Sequence, residues 1–244
     1  MSDLRVERRG QGPPLLLIHA GDLDGRMWGP LADIIDGEYS LLIPDLRGHG
    51  RTPAARSPFS HAEDLLELID EEELDDVAIV AASYGGAGAV QLAGHAPHRG
   101  SSPVLLSAAL ADHEFGDEIQ AAWEQEDLML SHADIEGAIE LGVRTWVRDD
   151  SVADLVRSMN RDAYLSRLGA EDHERELPQH LAAITAPTIA ISGGLDFSDF
   201  STIADRISLE VPDAHRAEVS DAGHLIALER PPPTAELIRG FVGP

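Results

Sequence analysis

Short apolar runs of strand length recur along this 244-residue chain, at residues 15–18, 40–43, 77–82, 104–106, 188–191 and 217–219. Helical patterns separate them. Residues 61–74 carry Leu65, Leu66, Leu68 and Ile69 among Glu and Asp, residues 84–95 form a small-residue stretch, and residues 231–241 open on a proline run and continue as an amphipathic helix. Strands that are apolar on both faces and alternate with helices predict an α/β fold, with a mostly parallel sheet covered on both sides. The alternation stops between residues 112 and 181, where only helical segments occur, at 117–130, 134–146 and 152–168. Helices inserted at the C-terminal edge of a parallel sheet lie where such sheets bind ligands. The expected organisation is therefore a core of residues 1–111, a helical cap of 112–181 and a second part of the core, 182–244. Trp123 and Trp146 fall in the cap, where core packing and pocket lining explain them equally well.

The most telling run is the third, Val77-Ala78-Ile79-Val80-Ala81-Ala82-Ser83-Tyr84-Gly85-Gly86. A buried strand that turns sharply into a helix forces the turning residue into strained backbone, and only small residues two positions away on either side avoid a clash. Ala81 and Gly85 occupy those positions, although the stricter G-x-S-x-G pattern has Gly at the first. Such a turn projects the serine beside a helix N-terminus, whose N–H groups can meet a developing oxyanion. The competing reading is a βα turn with an incidental serine.

A serine needs a positioned base, itself oriented by a third group. Two later segments supply them. Ser192-Gly193-Gly194-Leu195-Asp196 places a carboxylate just past an apolar run, and Asp221-Ala222-Gly223-His224 places a histidine on a glycine-containing loop. Asp199 and Asp112 compete for the carboxylate role; Asp196 is preferred for its strand-plus-glycine context.

Together these segments resemble the α/β-hydrolase superfamily, in its small capped serine esterases and enol-lactone hydrolases. Three more carry the likeness: Leu15-Leu16-Leu17-Ile18-His19-Ala20-Gly21 with Arg26-Met27-Trp28, Pro44-Asp45-Leu46-Arg47-Gly48-His49-Gly50-Arg51-Thr52, and Gly223-His224-Leu225 leading to Leu228-Glu229-Arg230-Pro231. Ala20 and Ala81 stand where the family has Gly, and no counterpart of its first strand precedes Leu4. The resemblance implies the α/β-hydrolase fold, with Ser83 as nucleophile, His224 as general base and then acid, and Asp196 as its orienting carboxylate. It implies an oxyanion hole made by the backbone N–H groups of Gly21 and Tyr84. The implied activity is hydrolysis of a small carboxylic ester or lactone through an acyl-enzyme. Ser83 argues against dehalogenase and epoxide-hydrolase chemistry, which in this fold needs a carboxylate nucleophile. A capped-pocket receptor that senses a small molecule and signals through a protein partner is the alternative.

Composition narrows the partners. With 44 Asp and Glu against 18 basic residues, all arginine, the formal charge is −26. Nucleic acid and anionic membranes are poor partners for such a chain. No cysteine is present, which excludes disulfides and thiolate chemistry. No apolar run reaches membrane-spanning length and the N-terminus has no signal-peptide core, so a soluble cytoplasmic protein is expected. No cofactor is implied, since the glycines after Ser83 lack the context of a dinucleotide fingerprint. A metal site is not expected either, because His95 and His98 have no third ligand in view. His19 and His49 are expected to make structural hydrogen bonds, and His61, His113, His132, His173, His180 and His215 to be solvated. Asp22 and Asp24, only partly offset by Arg26, favour neutral substrates unless Arg144 or Arg148 clamps an anionic one.

Overall fold

The computed structural model describes residues 3–170, 173–175 and 177–243. In chain order the first half holds β1 (Arg5–Gly10), β2 (Pro14–Ile18), α1 (Gly29–Ile35), β3 (Ser40–Asp45), α2 (His61–Glu71), β4 (Ala78–Ala82), α3 (Ser83–His95) and β5 (Ser101–Leu106). Three helices follow without an intervening named strand: α4 (Asp117–Ser131), α5 (Ile135–Trp146) and α6 (Ala153–Arg167). The chain closes with β6 (Thr188–Gly193), α7 (Ser198–Glu210), β7 (Ala214–Val219), α8 (Ile226–Glu229) and α9 (Pro231–Val242).

The seven strands form one sheet in the order β1-β3-β2-β4-β5-β6-β7. Every neighbouring pair is parallel except β1 with β3. Both faces are buried, and the two-residue period of a strand sends alternate side chains to opposite sides. Leu15, Leu17, Val80 and Ile191 face one cluster with α1 and α9. Leu16, Ile18, Ile79 and Ala190 face the other, with α2, α3 and α7. Burying each such side chain stabilises the fold by roughly 1.5–3 kcal/mol, which is why these strands read as unbroken apolar runs.

Strand β1 is a departure from that reading. Its sequence, RVERRG, shows no apolar run, yet it pairs with β3 from Arg5 opposite Asp45 to Gly10 opposite Ser40. An edge strand has only one hydrogen-bonded neighbour and needs little apolar surface; here Val6 alone packs on the core while Arg9 reaches Asp33 and Asp36 at 2.8 and 2.6 Å. Helices α1 and α7 likewise lie outside the expected elements.

The direction of the chain across the sheet locates the site. After β2 it adds β3 on one side, then crosses to place β4 on the other. Ligands of open α/β sheets bind at such a switch point, beyond the carboxyl ends of the strands. The segments that leave β2 and β4 there begin with His19 and Ser83. Among the described residues no helix is long and apolar enough to cross a membrane.

Candidate active site

Ser83 sits where β4 turns into α3, with φ +48°. That left-handed backbone is strained for any residue but glycine. The small neighbours have visible reasons. A Cβ on Gly85 would stand 2.3 Å from the carbonyl oxygen of His19. Ala81 lies fully buried in the sheet core, where its methyl is accommodated. Gly21 packs directly on Tyr84, since a Cβ added to it would lie 3.3 Å from Cβ of Tyr84. The backbones after β2 and β4 therefore meet beside Ser83.

His224 Nδ1 lies 2.9 Å from Oδ2 of Asp196, and both side chains are buried. A carboxylate only accepts, so Nδ1 carries the hydrogen and Nε2 keeps its lone pair. Oδ1 of Asp196 accepts the Phe197 N–H at 2.8 Å. The imidazole is wedged between Phe200 and Trp146, with ring centroids at 4.3 and 4.7 Å. The two competing carboxylates are engaged elsewhere. Asp112 pairs with both terminal nitrogens of Arg206 at 2.8 Å, whose hydrogen bonds hold its carboxyl below the ordinary range. Asp199 accepts from Gly116 N–H at 2.8 Å and meets His113 at 3.2 Å.

Ser83, Tyr84, Gly21 and His224 line one cavity of about 600 Å³. Its walls differ sharply. Phe115, Trp123, Trp146 and Phe200 form an aromatic side, so both tryptophans of α4 and α5 are pocket residues. Asp22, His49, His61, Arg167 and Glu174 form a polar side. Arg144 and Arg148 do not line it; Arg148 instead donates to Thr145 O at 2.8 Å, near the C-terminal end of α5. Arg167 is the arginine that reaches the cavity, and it is paired with Asp22.

The histidines divide differently from expectation. His19 is buried, accepts the Leu46 N–H at 2.8 Å through Nε2 and donates from Nδ1 to Ala20 O at 2.8 Å, which ties the loop after β2 to the turn after β3. His61 is not solvated. It is buried, its Nε2 lies 2.9 Å from the Tyr84 hydroxyl, and that hydroxyl donates to Glu174. Burial first, then the neighbouring His19 and Arg47, pushes its pKa down to about 3. His113 is likewise half-buried against Asp199 and Phe115. The sequence did hold a signal for His61: with Leu65, Leu68 and Ile69 it falls at i, i+4, i+7 and i+8 of α2, the buried face of an amphipathic helix. No comparable local pattern marks Arg167 or Glu174. Among the described residues no group of three or more His, Asp or Glu is placed to hold a metal ion.

The sequence profile of the Alpha/beta hydrolase family matches residues 15–237. The chain belongs to that family. It is 38% identical to lipase LipV of Mycobacterium tuberculosis over 114 residues, 45% of this chain and 43% of the lipase, so it spans under half of that relative. It is 24% identical to esterase YbfF of Escherichia coli over 260 residues, covering 97% of this chain and 96% of the esterase. Among solved structures, the enol-lactonase from Burkholderia xenovorans superposes with a TM-score of 0.82 at 20% identity, covering 99% of this chain and 96% of that one, a likeness of fold.

Proposed function

We propose that this protein is a cofactor-free serine hydrolase acting on neutral carboxylic esters or lactones through Ser83, His224 and Asp196. The observation that carries this reading is the 2.9 Å contact of His224 Nδ1 with buried Asp196, with His224 lining the same cavity as the strained Ser83. Ser83 Oγ attacks the scissile carbonyl while His224 Nε2 takes its proton. Asp196 holds the tautomer and stabilises the imidazolium as it forms. The tetrahedral oxyanion sits between the N–H groups of Gly21 and Tyr84, at the N-terminus of α3. His224 then returns the proton to the leaving alcohol, and a water deprotonated by His224 releases the acid from the acyl-enzyme.

Helices α4–α6 act as a cap, contributing Trp123, Trp146 and Arg167 to the cavity. Neutral substrates are favoured because the cavity's arginine is committed to Asp22 and the chain's charge of −26 repels anions. A fluorophosphonate probe tests the reading: it should label Ser83 alone, and Ser83→Ala should abolish both labelling and turnover of p-nitrophenyl esters. A label on another residue, or none on folded protein, rejects it.

A further inference from the structure

Gly21, the proposed oxyanion donor in the loop after β2, is free to turn its N–H away unless both of its neighbours are held. Upstream, the sheet side holds it. His19 Nδ1 donates to Ala20 O at 2.8 Å, and in a planar trans peptide that carbonyl and the Gly21 N–H point in opposite directions, so the bond fixes where the N–H aims. Downstream, the loop is weakly closed. Ala20 to Leu23 form a turn whose bond, Leu23 N–H to Ala20 O, is long at 3.4 Å. The third residue of that turn, Asp22, has φ +57°. Left-handed backbone is unfavourable for a residue with a Cβ, so Asp22 persists there because its surroundings restrain it.

That restraint comes from α6. Asn160 Nδ2 donates to the backbone carbonyl of Asp22 at 2.9 Å, and the Arg167 guanidinium pairs with the Asp22 carboxylate. Main chain and side chain of one residue are thus gripped by the same helix. Asn160 is buried, and the stem of Arg167 is seated on the turn after β3, where a Cβ added to Gly48 would stand 3.0 Å from Arg167 Cγ. We propose that Asn160 and Arg167 are positioning residues for the reaction: they hold Asp22 in its left-handed turn and so keep the Gly21 N–H aimed at the oxyanion beside Ser83. The inference rests on the hydrolase reading and gives α6 a part in the chemistry beyond covering the cavity. It also assigns a task to the arginine that reaches the cavity. A guanidinium that fixes the loop acts on every ester alike, whereas one that met the substrate would discriminate among substrates.

Steady-state kinetics on p-nitrophenyl acetate and p-nitrophenyl hexanoate test this. Arg167→Gln and Asn160→Ala should each lower kcat and kcat/KM together by about tenfold on both esters, as for a contact that matters only in the transition state. That is less than the roughly 10²–10³-fold of a deleted oxyanion donor, because the donor is displaced rather than lost. Arg167→Lys, which keeps the charge but not the planar fork, should recover part of the loss. Asp22→Gly, which adopts φ +57° freely but offers no carboxylate, should lose about as much as Arg167→Gln, and the double variant little more. A second readout is 1,1,1-trifluorooctan-2-one: Ser83 Oγ adds to its carbonyl carbon, the Ser83 proton passes to His224 Nε2, and the carbonyl oxygen becomes an oxyanion. Its inhibition constant should rise by the same factor as kcat falls. Arg161→Gln, which removes a charge from the same helix but one paired with Glu136, should stay within about twofold. A raised KM with kcat unchanged would make Arg167 a substrate contact, and kcat within about twofold in Arg167→Gln, Asn160→Ala and Asp22→Gly would make the loop self-supporting; either overturns the proposal and leaves the hydrolase intact. If buried Asn160→Ala does not fold, the Arg167 and Asp22 variants decide alone. Absence of turnover together with absence of Ser83 labelling rejects the hydrolase reading first, and the positioning role with it.

Discussion

On one side of the cavity Gly21, Ser83 and Tyr84 hang from backbone that leaves the sheet, and on the other Trp123, Trp146 and Arg167 hang from α4–α6. The sheet side is held by parallel ladders on both flanks of β2 and β4 and by apolar clusters above and below. The helical side has only a small cluster of its own, built around Ala138, Ile139 and Tyr164. It also packs on the two large clusters, through Ile119, Val143, Val156 and Met159, and ion pairs such as Arg26 with Asp162 at 2.5 Å and Arg230 with Asp149 at 2.8 Å add to that attachment. Ladders and close packing fix atoms to fractions of an ångström, whereas exposed ion pairs are individually weak and screened by salt. Groups that must meet a reacting carbonyl belong on the first kind of support, and groups that shape what enters can rest on the second.

The sharpest way to break this contrast is to remove the proposed catalytic side chains. Ser83→Ala and His224→Ala should each lower kcat by about 10⁵-fold or more, and the double variant should lose little beyond either single one. Asp196→Asn should cost about 10⁴-fold. Asp112→Asn and Asp199→Asn, whose carboxylates are engaged with Arg206 and with Gly116, should stay within about twofold in kcat. Steady-state kinetics on one neutral ester ranks all six, and a crippled Asp199→Asn would reassign the acid.

A smaller effect separates the two supports by stability. Gly85→Ala drives a methyl to 2.3 Å from backbone, and should destabilise the protein by about 3 kcal/mol in urea unfolding. Asp162→Asn removes one exposed partner of Arg26 and should cost only about 0.2–1 kcal/mol, a difference that shrinks further in high salt. Equal losses would mean that the helical side is as tightly specified as the sheet.

The gentlest test uses pH, because the two sides titrate in opposite senses. His61, below the loop after β4, has a folded pKa of about 3 against an ordinary 6.5, so the unfolded chain binds the extra proton and stability falls as pH drops from 6.5 towards 3. Glu126, on α4, is pushed up to about 8 by burial and by the charge of Asp22. There the folded state holds the proton more tightly, so its contribution is present at acid pH and fades as pH rises from 4.5 to 8. Unfolding free energies measured across pH 4–9 should show His61→Phe reducing the loss of stability below pH 6.5 and Glu126→Gln reducing the loss of stability between pH 4.5 and 8. The reverse assignment would contradict the burial of both groups.

Parallel strands such as β2 and β4 were legible because two-sided burial writes itself into consecutive residues, and the turn at Ser83 was legible because close packing admits only small neighbours. Asp196 and His224, 28 positions apart, were each marked by a strand end or a glycine turn before the fold brought them to 2.9 Å. Periodicity in α2 carried His61 inward as well, although its polarity hid the fact. Strand β1 was not legible, since an edge strand draws on hydrogen bonds to β3 rather than on apolar pattern. Nor was the polar wall. Arg167 meets Asp22 across 145 positions and Tyr84 meets Glu174 across 90. Local residue pattern determined which segments become strands, helices and sharp turns, because those depend on neighbours a few positions away. Which charges are paired, which imidazole nitrogens are left bare and which side chains share one cavity were decided only when the chain closed, because hydrogen bonds and desolvation act on groups that sequence leaves far apart.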